Sequence, residues 1–209
     1  MYDSGEARWF FRGTAQAAAE RWIMAGELAE HKSERIDQYL VLPGCSTTGI
    51  KVREGNFEVK AQTSPTEPAA WSENIAGVRD TWVKWSRSAD GLTELANRCQ
   101  AGETWIRVGK QRTLRLFSLE SGTPVDAPVD GPWLSAGCQV EVTNLRVLSA
   151  DDRKAEAWWS FCFEAFGEPG SLLEHLDVVV GHVADEAPDL VLPEGASMSY
   201  PAWLASLVV

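Results

Sequence analysis

The 209-residue chain is poor in the residues that build the commonest site chemistries. Its four cysteines, Cys45, Cys99, Cys138 and Cys162, are scattered and form no CxxC pair. That spacing argues against a zinc or thioredoxin-like site and fits a reduced, cytoplasmic setting. Only three histidines are present. His175 and His182 stand seven apart in an apolar helical pattern and read as positions on a surface helix rather than as metal ligands. No GxSxG, P-loop or dinucleotide-binding glycine motif occurs. No apolar run approaches the roughly 20 residues that span a bilayer. The opening MYDSGEARWFFRG lacks the basic-then-apolar order of a secretory signal. The closing PAWLASLVV is apolar but short, and is expected to dock as a terminal helix.

Positive charge is also scarce. The 19 Lys and Arg face 30 Asp and Glu, a net charge of -11. General nucleic-acid binding wants a basic surface and is disfavoured. Any anion the protein holds must sit where local charge opposes the global charge, so the placement of the basic residues carries the information. With 44% hydrophobic and 23% charged residues, the chain reads as globular, and residues 1–209 are expected to form one domain. Nothing in the sequence marks an oligomeric state.

What is present is a succession of strand patterns. EARWFFR (6–12) is expected as a strand, followed by a helix over 14–30 with Thr14 as N-cap. RIDQYLVL (35–42) is a strand stopped by Pro43-Gly44. GIKVREGNFEVK (49–60) reads as a hairpin turning at Gly55-Asn56. A loop over 63–74, a short strand over 80–86 and a helix over 88–101 follow. The stretch 103–119 is a long β pattern in which Gly109 is a candidate bulge. A loop over 121–137, strands over 139–148 and 157–165, and a helix over 171–183 complete the pattern. This is an α+β chain of about eight strands, paired locally and antiparallel.

Side chains alternate along a strand, which sorts these segments into two faces. One face carries Trp9, Phe11, Ile36, Ile50, Val52, Phe57, Val59, Val140, Val142, Phe161 and Phe163. The other carries Glu6, Arg8, Arg12, Arg35, Asp37, Tyr39, Lys51, Arg53, Glu58, Lys60, Glu141, Cys162 and Glu164. Lys110 and Arg112 share a face whose direction the bulge leaves open. A sheet with helices on its apolar side and water on the other would explain this pattern. A sheet curled into a barrel would enclose the charged face as an anion-attracting lumen. Most of the ten tryptophans are expected between wall and helices. Trp82, which shares a face with Lys84, is a candidate for the interior.

The order of motifs resembles the CYTH superfamily, the triphosphate tunnel metalloenzymes and their relatives. The counterparts are EARWFFR, DQY (37–39), KVR (51–53), EVK (58–60), KQR (110–112), QVEV (139–142) and FCFEAFG (161–167), within residues 5–183, with 184–209 as a tail. The resemblance implies an eight-stranded antiparallel β-barrel, a tunnel with a polar lumen and helices outside. It implies that Lys51, Arg53, Lys60, Lys110 and Arg112 face an anionic small molecule such as a triphosphate or organic polyphosphate, and Arg8, Arg12, Arg35 and Lys84, from the strand-face pattern, are further candidates to bind it. It also implies that Glu6, Glu141 and Glu164 hold Mg²⁺ or Mn²⁺ and serve catalysis. The chain departs from the family pattern in its carboxylates. Arg8 stands where the first strand should have a second glutamate, Phe10 where it should have a lysine, and Thr143 and Cys162 where later strands should have acidic partners. Two functions therefore remain open: a metal-dependent phosphohydrolase, and a non-catalytic or repurposed tunnel that binds an anion through its basic residues. Adenylyl-cyclase-like chemistry belongs to the same family, and no residue singles it out.

Overall fold

The computed structural model describes residues 2–53, 55–88, 104–148 and 155–208. Among these residues ten strands run in chain order: β1 (Tyr2–Arg12), β2 (Glu30–Leu40), β3 (Thr48–Arg53), β4 (Asn56–Gln62), β5 (Glu67–Ala70), β6 (Ala76–Ser88), β7 (Trp105–Ser118), β8 (Val125–Ala127), β9 (Gly137–Leu148) and β10 (Ala155–Phe166). Three α-helices stand among the described residues: α1 (Ala17–Ala25), α2 (Leu172–Glu186) and α3 (Tyr200–Ser206). Eight strands pair in the order β1-β10-β9-β7-β2-β3-β4-β6, and β6 pairs again with β1. Every pairing is antiparallel, so the sheet closes into a barrel with no free edge. The short β5 and β8 extend β6 and β7 outside this circuit. No helix among the described residues is long and apolar enough to cross a membrane.

The larger hydrophobic core lies outside the barrel wall. Trp9, Val140, Val142, Phe161 and Phe163 point outward from β1, β9 and β10. They pack beneath Ala19, Trp22 and Ile23 of α1 and Leu176, Val179, Val180 and Val183 of α2. The apolar residues of α2 recur at three- and four-residue spacing, which places one stripe on the barrel. Arg115 ties this layer together. Its guanidinium lies 4.4 Å from the Trp22 ring and pairs with Asp126 at 2.7 Å and Glu186 at 3.5 Å.

A second apolar cluster fills one end of the barrel. Phe10, Tyr39, Val41, Val108 and Leu145 surround Trp203 and Leu204 of α3. Phe10 and Trp203 stack with centroids 4.6 Å apart. Pro201 stands at the start of α3, and the Ser199 hydroxyl accepts a hydrogen bond from the Ala202 N–H, a normal N-terminal cap. The expected docked terminal helix is thus present, and it closes the barrel.

Several boundaries differ from the sequence expectation. The first helix is shorter than 14–30: it begins after Gln16, not Thr14, and the chain leaves helical geometry at Gly26. The expected loop over 63–74 contains β5, and that over 121–137 contains β8. The hairpin reverses one position earlier than Gly55-Asn56, because Asn56 already pairs with Arg53. Gly55 takes the positive φ of +77° that the turn requires. Gly109 is no bulge; it pairs in register with Ile36 on one side and Arg146 on the other. The irregularity falls instead on β2, between Lys32 and Arg35. The helix expected over 88–101 lies outside the described residues except for Ser88, which ends β6.

Trp203 is fully buried against Phe10, Trp158 and Tyr200. Trp203→Ala is expected to lower unfolding stability by about 3–5 kcal/mol in a denaturant titration. Trp133→Ala, at a residue that is 83% exposed, is expected to change it by no more than about 0.5 kcal/mol.

Candidate functional site

Alternation along the strands sends a row of charged side chains into the lumen. Glu6 on β1 lies opposite Glu164 on β10 and Asp80 on β6. Arg8 lies opposite Cys162, which lies opposite Glu141 on β9. Lys110 is paired across β7 and β2 with Arg35, Lys51 with Glu58, and Lys60 with Lys84. Continuous register on β7 settles the direction of Lys110 and Arg112, and both face inward.

These side chains enclose a cavity of about 150 Å³. Its wall carries eight cationic side chains, Arg8, Arg35, Lys51, Arg53, Lys60, Lys84, Lys110 and Arg112, against four carboxylates, Glu6, Glu58, Glu141 and Glu164. Asp37 and Asp80 are buried in the same layer. Tyr200, Pro201 and Leu204 of α3 form the floor.

The charges are cross-linked. Glu58 is held by Lys51 at 3.0 Å and Arg53 at 2.9 Å. Asp37 is met by Arg35 at 3.2 Å, Lys110 at 3.3 Å and Lys51 at 3.7 Å, and the Tyr39 hydroxyl donates to it at 3.1 Å. Glu141 is met by Arg112 at 3.0 Å and Arg8 at 3.5 Å, and accepts from the Thr143 hydroxyl at 2.5 Å. Lys60 pairs with Glu6 and, at 3.4 Å, with Glu164. Lys84 has no ion pair among the described residues; its ammonium lies 5.2 Å from the Tyr2 ring centroid.

Burial and pairing compete over each charge. Burial opposes the charge of Asp37, but Lys110, Lys51 and Arg35 outweigh it and hold the carboxyl below the usual range. Burial is likewise overcome at Glu141 by Arg8 and Arg112, and at Glu164 by Lys60 and Lys84, leaving both at about 2. At Lys110 burial prevails and pushes the amine down to about 7 despite Asp37. That amine donates to the Tyr39 hydroxyl at 2.5 Å and sits 4.1 Å from the Tyr200 ring centroid. Burial also pushes Asp80 up to about 6, against the hydrogen bond from Trp82, with the charge of Glu6 adding to the rise.

Of the residues singled out in the sequence, Glu6, Glu141, Glu164, Arg8, Arg35, Lys51, Arg53, Lys60, Lys84, Lys110 and Arg112 line this one cavity. Arg12 does not. Phe10 and α3 close the barrel at that end, so Arg12 emerges beyond the plug, with its side chain 71% exposed and paired with Glu156. Asp37 and Glu58 shared the inward face in the alternation pattern but were not counted as site residues. Asp80 and Tyr200 join them: the first was readable from its alternation with Trp82 and Lys84 on β6, whereas only the path of the C-terminal segment reveals the second. Trp82 is interior, as its shared face with Lys84 implied, and donates to Asp80 at 2.5 Å.

The residues present do not fit the divalent cation that the family resemblance implies. Among the described residues no group of three or more His, Cys, Asp or Glu side chains is arranged to hold a metal ion. Glu6, Glu141 and Glu164 each face a lysine or arginine instead. Mg²⁺ wants several unencumbered oxygens in a near-octahedral shell.

Comparison with known proteins adds little beyond this geometry. No protein-family model matches the chain, and no curated protein matches it. Among solved structures, it is similar to the PH1012 protein of Pyrococcus horikoshii OT3, with a TM-score of 0.43 and 15% identity over 98% of this chain and 99% of that one. It is also similar to a conserved hypothetical protein of Pyrococcus furiosus, with a TM-score of 0.45 and 13% identity over 95% and 98%.

The raised Asp80 has a definite sign. An acid whose folded pKa lies above its unfolded value near 4 stabilises the fold at low pH and loses that contribution as pH rises through about 6. Asp80→Asn removes the titration. Its stability relative to the parent is expected to climb between about pH 4 and 6, by at most roughly 1.4 kcal/mol per pH unit, in chemical denaturation across that range. A constant difference would show that Asp80 ionises normally.

Proposed function

We propose that the protein binds a phosphate-containing small anion, a triphosphate or organic polyphosphate, inside the barrel. One observation carries the reading: among the described residues eight basic side chains line a cavity, against Glu6, Glu58, Glu141 and Glu164 on its wall and Asp37 and Asp80 buried beside them, in a chain whose net charge is -11. A fold evolved only for stability gains little from buried ion pairs, which roughly break even against apolar packing. A surplus of buried cations is costly unless something else supplies negative charge. The Nε atoms of Arg8 and Arg53 are, in addition, buried donors with no partner among the described residues, a state that a ligand oxygen would relieve. Guanidinium and ammonium groups on several sides suit tetrahedral phosphoryl oxygens through charge-assisted hydrogen bonds. A cavity enclosed by the barrel admits a small molecule rather than a nucleic-acid duplex or a membrane surface.

A metal-dependent triphosphatase is the second reading: Glu6, Glu141 and Glu164 reach the same cavity, but each is paired with a lysine or arginine. The two separate by assay: phosphate release from tripolyphosphate or ATP that depends on Mg²⁺ or Mn²⁺ belongs to the second alone.

Calorimetric titration with tripolyphosphate at low ionic strength tests the binding. Lys84 is a useful probe, because among the described residues it makes no direct ion pair, although its charge helps hold Glu164 ionised. Lys84→Ala and Arg53→Ala are each expected to weaken binding by about tenfold or more, from the loss of a charge-assisted contact, with the fold intact by circular dichroism. Unchanged affinity in both variants would place the ligand outside the lumen.

A further inference from the structure

The three carboxylates that the family resemblance assigns to metal are engaged by the chain's own cations. Arg8 enters the lumen from β1 with its side chain only 12% exposed, and its Nη1 lies 3.5 Å from one oxygen of Glu141. Arg112 meets the other oxygen of Glu141 at 3.0 Å. The ammonium of Lys60 reaches both Glu6 and Glu164. Each of the three carboxylates is therefore met directly by at least one of these three cations. A divalent ion entering among them would have to detach at least two ion pairs and would then face three positive charges at close range. Each such repulsion opposes entry, the more so because the ion is doubly charged, and the ion would also have to shed water it gives up reluctantly.

We infer that Arg8 stands in place of a divalent cation, so that this lumen takes its anion as the metal-free species. The inference rests on the reading of the lumen as an anion receptor and adds a specificity to it. Phosphate oxygens would meet guanidinium and ammonium N–H groups directly. A polyphosphate already chelated to Mg²⁺ would present fewer free oxygens and less negative charge. It would bind more weakly than the free anion, which reverses the preference of a metal-dependent site.

Arg8 controls this choice by its position in the sequence. It alternates with Glu6 on the same strand face, so Arg8→Glu would put two carboxylates two residues apart, beside Glu141 and Glu164, and would remove one of the cations that face them. That exchange moves the local charge two units toward negative.

Mn²⁺ binding followed by electron paramagnetic resonance, with no anion present, decides the inference on its own. The unaltered protein is expected to leave Mn²⁺ in its free, six-line form, and Arg8→Glu is expected to bind it about tenfold or more tightly than the parent. Mn²⁺ bound by the unaltered protein would overturn the inference, and this measurement needs no variant to fold. A folded Arg8→Glu that gains no Mn²⁺ would overturn the role given to Arg8. In parallel, tripolyphosphate is titrated with chelator and with excess Mg²⁺. Tighter binding in chelator supports the inference, and binding that requires Mg²⁺ overturns it. No binding in either condition would sink the anion-receptor reading itself, while the Mn²⁺ result would still stand for or against the occupation of the carboxylates.

Discussion

A charge taken out of water must find a counter-charge within a few ångströms, and this barrel imposes that condition on more than a dozen side chains at once. The solution is geometric. Strands alternate, the sheet closes, and cations and carboxylates from different strands are brought across the lumen to one another. Asp37 shows the logic at its strongest: it is wholly buried, yet three cations and a tyrosine hydroxyl surround it and hold it ionised. Where compensation is weaker the charge gives way, as in the depressed amine of Lys110 and the raised carboxyl of Asp80. The network is rigidly located because each member belongs to a hydrogen-bonded strand with fixed register.

The same closure separates two interiors. Apolar packing is divided between an outer layer, where α1 and α2 cover the wall, and a plug, where α3 fills one end with Trp203 and Leu204. Between plug and opening lies the charged cavity. The aromatic floor supplied by Tyr200, stacked at 4.8 Å on Tyr39 and lying under Lys110, joins the two regions. One end of the lumen thereby becomes a low-dielectric wall against which the neighbouring charges act more strongly.

Much of this was legible in the sequence where local rules fix the outcome. The alternation of Lys51 and Arg53 with Ile50 and Val52 assigns the faces of β3, and the glycine turn at Gly55 ties β4 to it, so Glu58 and Lys60 follow. What sequence could not give depends on pairing between distant strands. Lys110 and Arg112 had no readable direction because Gly109 resembled a bulge, whereas the irregularity belongs to β2, where the adjacent strand and not β7 absorbs it. Tyr200 reaches the cavity from a segment whose sequence shows only a short apolar helix. Arg12 obeys the alternation of β1 yet misses the lumen, because the plug ends the cavity at Phe10. The carboxylate deficit, by contrast, was visible at once in Arg8, Thr143 and Cys162. Its consequence, a set of carboxylates held by protein cations, needed the third dimension.

The central claim is that the charged lumen is a receptor for a phosphate-containing anion. The most direct test is a crystal structure of the protein soaked with tripolyphosphate in the presence of chelator. The account predicts density for the anion inside the barrel, with phosphoryl oxygens within hydrogen-bond distance of Arg53, Lys60 and Lys84. An empty lumen with the anion bound only on the outer surface would contradict it.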